Sequence, residues 1–277
     1  MRLSLSVRVA ESFSNKRVRT LELPELVRIA SNAGYEALCM RASVVGIHNA
    51  GDEAKGVRDL LDRFGLEVSM VTGDFAVPEN GAEGPACLRN ITPHLDLAAA
   101  LRCDLIRVCI KESGDIPFAQ SAADEAMERG IRLAHQSHTR SLFETRAGSL
   151  EVLARIDRPN FGVIYEPANL ALCGEDYGVE TLWAFQPYLF NVYLQNHAPD
   201  PGGEKPMETW SRGSVMSTIR PLDDPGGIDF GAVFEGLYAI GYGGTVTLHQ
   251  AFGGVLPPKE AAASSARFLR CLMQAHH

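Results

Sequence analysis

The 277-residue chain reads as one domain, a barrel of eight β/α units. Three observations predict it. Short apolar runs alternate with amphipathic stretches, eight of each, at a spacing of roughly 30 residues; this is the rhythm of parallel β/α repeats. Nearly every apolar run ends in a polar side chain, in order Arg8, Arg41, Thr72, Lys111, Gln136, Glu166, Gln195 and His249, and the chemistry of such barrels sits at the carboxyl ends of their strands. No break in composition divides the chain, whose length suits the roughly 250 residues typical of a (β/α)8 barrel. An open doubly wound sheet is the alternative arrangement of the same units.

Each unit has its own warrant. Residues 2–7 alternate Ser4 and Ser6 with Leu3, Leu5 and Val7, a strand pattern. Pro24 opens a helix that Gly34 stops. Strands are expected at 37–40, 67–71 and 104–110, with helices at 54–64 and 88–101 between them and a turn-rich loop, AVPENGAEGP, after the third strand. The helix 119–129 ends at Gly130. Strands 131–136 and 161–165 flank a helix at 149–156, and a helix around 180–185 leads to strand 190–194. Residues 198–227, with five prolines, five glycines and Trp210, read as a long irregular insertion; loops of that length in a compact domain are usually lids or binding loops. A helix at 229–240, a strand at 245–248 and a helix at 259–273 complete a domain spanning 1–275.

Composition narrows the function. The chain is 45% hydrophobic and 22% charged, as globular proteins are. A net charge of −8 argues against nucleic acid or an anionic membrane as a partner. No apolar run approaches the roughly 20 residues that span a bilayer, and Met1 leads straight into LSLSV without a signal-peptide pattern, so a cytoplasmic protein is expected. The six cysteines form no CxxC pair and read as buried, reduced thiols.

Alternate residues of a strand share a face. Thr245, Thr247 and His249 therefore point one way, as do Gly162, Ile164 and Glu166, and Asn191, Tyr193, Gln195 and His197. Four groups, His138, Glu166, His197 and His249, are candidate ligands of one divalent ion. Nitrogen with a single carboxylate suits zinc, manganese, iron or nickel; no organic cofactor is expected. Each His is equally readable as a hydrogen-bonded loop residue. Glu166 directly follows an apolar run and needs a cation or donors against desolvation. Arg41 and Lys111 read as holders of an anionic or polyol substrate, or as ion-pair partners at the rim. Glu144 reads as a helix N-terminal acid or a catalytic group, and Trp210 as a sugar-stacking platform or a loop anchor.

The segments GIRLAHQSHT, DRPNFGVIYEPANL and GGIDFGAVFEGLYAIGYGGTVTLHQ resemble the xylose isomerase-like TIM barrels, the sugar-phosphate isomerase/epimerase superfamily. The resemblance covers almost the whole chain. It implies a divalent metal held at the ends of strands five to eight and a proton moved between adjacent carbons of a sugar by carboxylates. In this sequence the strand-five Glu position holds Gln136. The strand-six Asp position holds Glu166, with Asn169 where a His stands three residues on. The strand-seven His position falls near Tyr193, with Gln195 and Asn196 in place of a Lys-Asp pair. The strand-eight Glu position holds His249.

The expectation is an isomerase or epimerase acting on a small polyol or hydroxy-carbonyl compound, as a monomer or homodimer. Glu166, His249 and His138 would be its catalytic groups, and Arg41, Lys111, Gln136, Asn169, Gln195 and Trp210 would contact the substrate. The alternative is a diverged barrel that binds a carbohydrate-like ligand or runs a lyase or hydrolase reaction.

Overall fold

The computed structural model describes residues 1–72 and 83–275. Eight parallel strands close into a barrel: β1 (Arg2–Ser6), β2 (Ala37–Met40), β3 (Glu67–Thr72), β4 (Leu105–Val108), β5 (Arg132–Gln136), β6 (Phe161–Tyr165), β7 (Leu189–Leu194) and, last in the chain, Thr245–Leu248. That last strand pairs with β1 in the register Arg2↔Thr245 to Leu5↔Leu248 and so shuts the ring. The closed barrel, rather than the open sheet, is the fold.

Strand parity sorts the core into two. Cys39, Met70, Leu105, Ala134, Ile164 and Tyr193 form an inner cluster, with Phe190 against it. The other strand face packs on the helices in one large cluster that includes Leu38, Val68, Ile106, Leu133 and Val163. Gly162 is required on the inner side: a Cβ there would stand 2.3 Å from the Tyr188 carbonyl oxygen and 2.7 Å from the Phe190 ring.

The structure departs from the sequence reading in several places. The insertion is not irregular. Three antiparallel strands, β8 (His197–Pro199), β9 (Lys205–Thr209) and β10 (Gly213–Ile219), form a small sheet in the order β8-β10-β9; the barrel's closing strand is therefore β11 (Thr245–Leu248). The helix expected at 88–101 is two helices, Ala86–Arg89 and Thr92–Ala100, because Asn90 leaves the helical conformation and Pro93 begins the second instead of continuing the first. The fourth strand stops at Val108, so Lys111 lies beyond it in a loop. A short helix, Pro167–Leu172, follows β6 and was not anticipated. Five cysteines are buried as expected, but Cys271 is exposed. Most of the AVPENGAEGP loop lies outside the described residues. Among the described residues no helix is long and apolar enough to cross a membrane.

Candidate active site

The inner residue that closes or follows each barrel strand converges at the carboxyl end. Glu166, fully buried after β6, is at the centre. Gln195 donates its amide to one carboxylate oxygen and Gln136 donates to the other. Asn169, on the helix after β6, donates to that second oxygen at 2.9 Å and to the Ser137 carbonyl at 2.9 Å. These donors favour the ionised carboxylate and Arg107 adds a Coulombic pull the same way, but desolvation outweighs them and pushes the carboxyl up to about 8.

Above it opens a cavity of about 390 Å³, lined among others by Gln136, Gln195, Asn169, His138, His197 and His249. That volume suits a small molecule. His249 stacks on Tyr193 with ring centroids 3.9 Å apart and an interplanar angle of 7°, and its Nδ1 lies 3.0 Å from Ser6 Oγ. Burial, then the charges of Arg41, Arg107, Arg8 and Lys16, hold its pKa well below the usual histidine value. His197 is pushed down to about 4 by burial and Lys205. Ser217 spends its one hydroxyl proton on the Lys205 carbonyl, so at 2.7 Å it must accept from His197 Nε2–H. His138 is likewise shifted well below the usual value, chiefly by burial, and its Nδ1–H donates to the Thr139 carbonyl at 2.9 Å.

The cavity wall is cationic: Arg8, Lys16, Arg41, Arg140 and Lys205 line it, against one acid, Glu208. Arg41 and Arg8 share Glu11, at 2.7 and 3.3 Å. Arg41 is therefore an ion-pair partner, as one of its two sequence readings had it, and it also lines the cavity. The insertion supplies one wall through Lys205, Met207 and Glu208, with His197 just before it, on the mouth side as the lid reading required.

Other expectations fail. Lys111 and Trp210 do not line this cavity. The Lys111 ammonium bonds the Arg140 carbonyl and lies 5.5 Å from the Trp210 ring centroid, and Trp210 is 54% exposed at the tip of the β9–β10 hairpin. Shortening β4 moved Lys111 outward. Glu144 is neither the helix cap, which is Thr145, nor at the cavity; it accepts from the backbone N–H of Arg140, Trp210 and Ser211 and lashes the hairpin to the loop after β5.

The four-ligand metal set does not assemble. Among the described residues no three His, Cys, Asp or Glu side chains come together as an ion requires. Both Glu166 oxygens already accept from amides, and the three imidazoles are each turned to a different hydrogen-bond partner, Thr139, Ser217 and Ser6. These residues do not fit a divalent ion. The sequence reading also missed Arg107, on the inner face of β4 and 2% exposed. Parity was the available signal: Leu105 is in the inner cluster, so Arg107 points inward as well.

The family model described as xylose isomerase-like TIM barrel matches residues 27–272. Among solved structures the chain is similar to the probable 3-DHS dehydratase AsbF, involved in petrobactin synthesis, from Bacillus anthracis. That match has TM-score 0.74 and 14% identity, and covers 98% of this chain and 99% of that one. A xylose isomerase domain protein from Planctomyces limnophilus matches with TM-score 0.73 and 18% identity, over 99% and 96% of the two chains. The IOLI protein, solved with a bound zinc atom, matches with TM-score 0.71 and 12% identity, over 100% and 99%. None of the curated proteins matches this sequence.

Proposed function

The chain belongs to the xylose isomerase-like TIM barrel family, and we propose that it moves a proton on a carbon next to a carbonyl in a small hydroxy-carbonyl, carbohydrate-like substrate. One observation carries this: a buried carboxyl, Glu166, pushed up to about 8 beneath a cavity of small-molecule size. A general base works best with a pKa near the working pH, where it is partly ionised yet basic enough to take a carbon-bound proton. Gln195 and Gln136 stand between the carboxylate and the cavity, so substrate must displace at least the Gln195 amide for the proton to pass. Asn169, also on the cavity lining, helps hold the carboxylate in orientation. His249, neutral and lining the cavity, carries the proton between oxygens of the enediolate, as neutral imidazole can. No step runs through a metal.

One feature favours a second reading. Glu166 is the only carboxylate among the inward residues closing the barrel strands: Ser6, Arg41, Thr72, Arg107, Gln136, Gln195 and His249 complete the ring. Inversion at carbon needs a second group on the opposite face. Elimination needs only one such group: Glu166 takes the proton from carbon and, as the acid so formed, gives it to the leaving hydroxyl on the same face, and water departs. The fold neighbour from Bacillus anthracis is called a probable dehydratase. Incubating hydroxy-carbonyl compounds with the protein in D2O separates the readings. Deuterium in recovered substrate or an isomer supports proton shuffling, and an unsaturated product supports elimination. If Glu166→Gln retains activity on whichever substrate turns over, both are wrong; the expected loss is about 10²- to 10⁴-fold.

A further inference from the structure

We propose that the substrate carries an oxyanion, a carboxylate or phosphate, which docks on Arg41 in the cavity lining and reaches in to Arg107, buried on the inner face of β4. This deepens the reading of the mouth as a substrate site and rests on it.

The argument begins with unmet donors. Arg107 is buried inside the barrel, and its Nε and Nη1 have no hydrogen-bond partner among the described residues. Arg41 is equally buried; Glu11 takes its Nε, and its Nη1 is also without a partner. A buried guanidinium is costly unless paired, and native interiors rarely leave one so. The nearest candidate anion, Glu166, has both oxygens occupied by amides and accepts nothing from Arg107. Glu11 is shared between Arg41 and Arg8. The pair thus carries more positive charge than its surroundings neutralise, with donors in the planar fork that matches a carboxylate or phosphate.

Two further features point the same way. Lys16, Arg140 and Lys205 add cations around the cavity against Glu208, although the whole chain has net charge −8. Positive charge gathered in one cavity of an acidic protein draws anions to it. Gln136 Oε1 is also buried without a donor among the described residues, an acceptor on the cavity lining for a hydroxyl. The ligand these groups fit is a small compound with both an oxyanion and a hydroxyl.

Calorimetric titration tests it with three probes: inorganic phosphate, D-gluconate and neutral sorbitol. At least one anion is expected to bind, and sorbitol at least tenfold more weakly. Gluconate tighter than phosphate marks a hydroxy acid, and the reverse a phosphorylated compound; both orders support the proposal. Arg107→Met should weaken the anion roughly 10- to 100-fold, the loss of charge-assisted hydrogen bonds, without lowering the melting temperature, since it removes an unpaired buried charge. The proposal is overturned if neither anion binds at millimolar concentration, if sorbitol binds as tightly, or if a folded Arg107→Met binds unchanged. Should that variant not fold, the wild-type comparison of anion with sorbitol decides alone. Glu166→Gln keeps the two readings apart: anion binding retained with turnover intact sinks the assignment of the base and leaves the anion site standing.

Discussion

Glu166 is favoured in its protonated form by the native state, because its carboxyl is raised from the ordinary carboxylate range to about 8. The sign of the linkage follows. Above the unfolded pKa of about 4.3 the unfolded chain gives up this proton while the native chain keeps it, so stability falls as pH rises toward 8 and the full penalty is present above it. Glu166→Gln, neutral at every pH, should match wild type in unfolding free energy near pH 4 and exceed it at pH 9, by an amount on the order of a few kcal/mol. Activity runs oppositely: kcat/KM should climb through about 8 as the base ionises. Gln195 lowers this pKa by donating to the carboxylate, so Gln195→Ala should move the rising limb to higher pH; a limb that stays put or moves down removes Glu166 as the titrating base. Most of this was legible in sequence, because parity alone sets Gln136, Glu166, Gln195 and His249 on inner faces. Arg107 was not, because a fourth strand drawn to residue 110 directed attention to its polar end, Lys111, and past the arginine in its middle.

The insertion gave its wall-forming position away but hid its structure. Its prolines, its glycines and the tight turn closed by Gly213, at φ 70°, interrupt the alternation that marks strands. Its anchors are side chains remote in sequence, which no local pattern reveals. Asn196 accepts from Ile228 N–H and donates to the carbonyls of Pro221 and Asp224, while Gln250 bonds both Asn196 N–H and the Arg220 carbonyl. Glu144 holds the far tip through Trp210 and Ser211 N–H, at 2.7 and 2.8 Å. Glu144→Ala strands these donors and should cost about 1–3 kcal/mol locally. Hydrogen exchange should speed up in 205–219 and leave β5 and β6 protected, and KM should rise more than kcat falls, because Lys205, Met207 and Glu208 wall the cavity without meeting Glu166. Unchanged exchange in the hairpin would show that Glu144 anchors nothing.

A closed barrel has no free edge, so a strand that must move carries the ring with it. The eightfold count was readable from the sequence because each strand is a run buried on both faces, but how the ring fits together was not, since it turns on contacts such as Gly162 against Tyr188 and Phe190. Here β6 meets β7 with a register shift between Val163 and Ile164, and Phe190 seals the inner cluster, with the Arg132 guanidinium 5.1 Å from its ring centroid. Gly162→Ala would place a methyl 2.3 Å from backbone that cannot rotate away. The two strands must part, at a cost of roughly 1–3 kcal/mol or more for overpacking. Chemical denaturation should show a lower midpoint with an unchanged slope, as a single cooperative domain requires. Glu166 and Gln195 lie just past the ends of these same two strands, so the separation should also loosen their contact and reduce kcat. A variant as stable as wild type but slow would locate the effect at the active site alone, whereas loss of both places it in the closure of the ring.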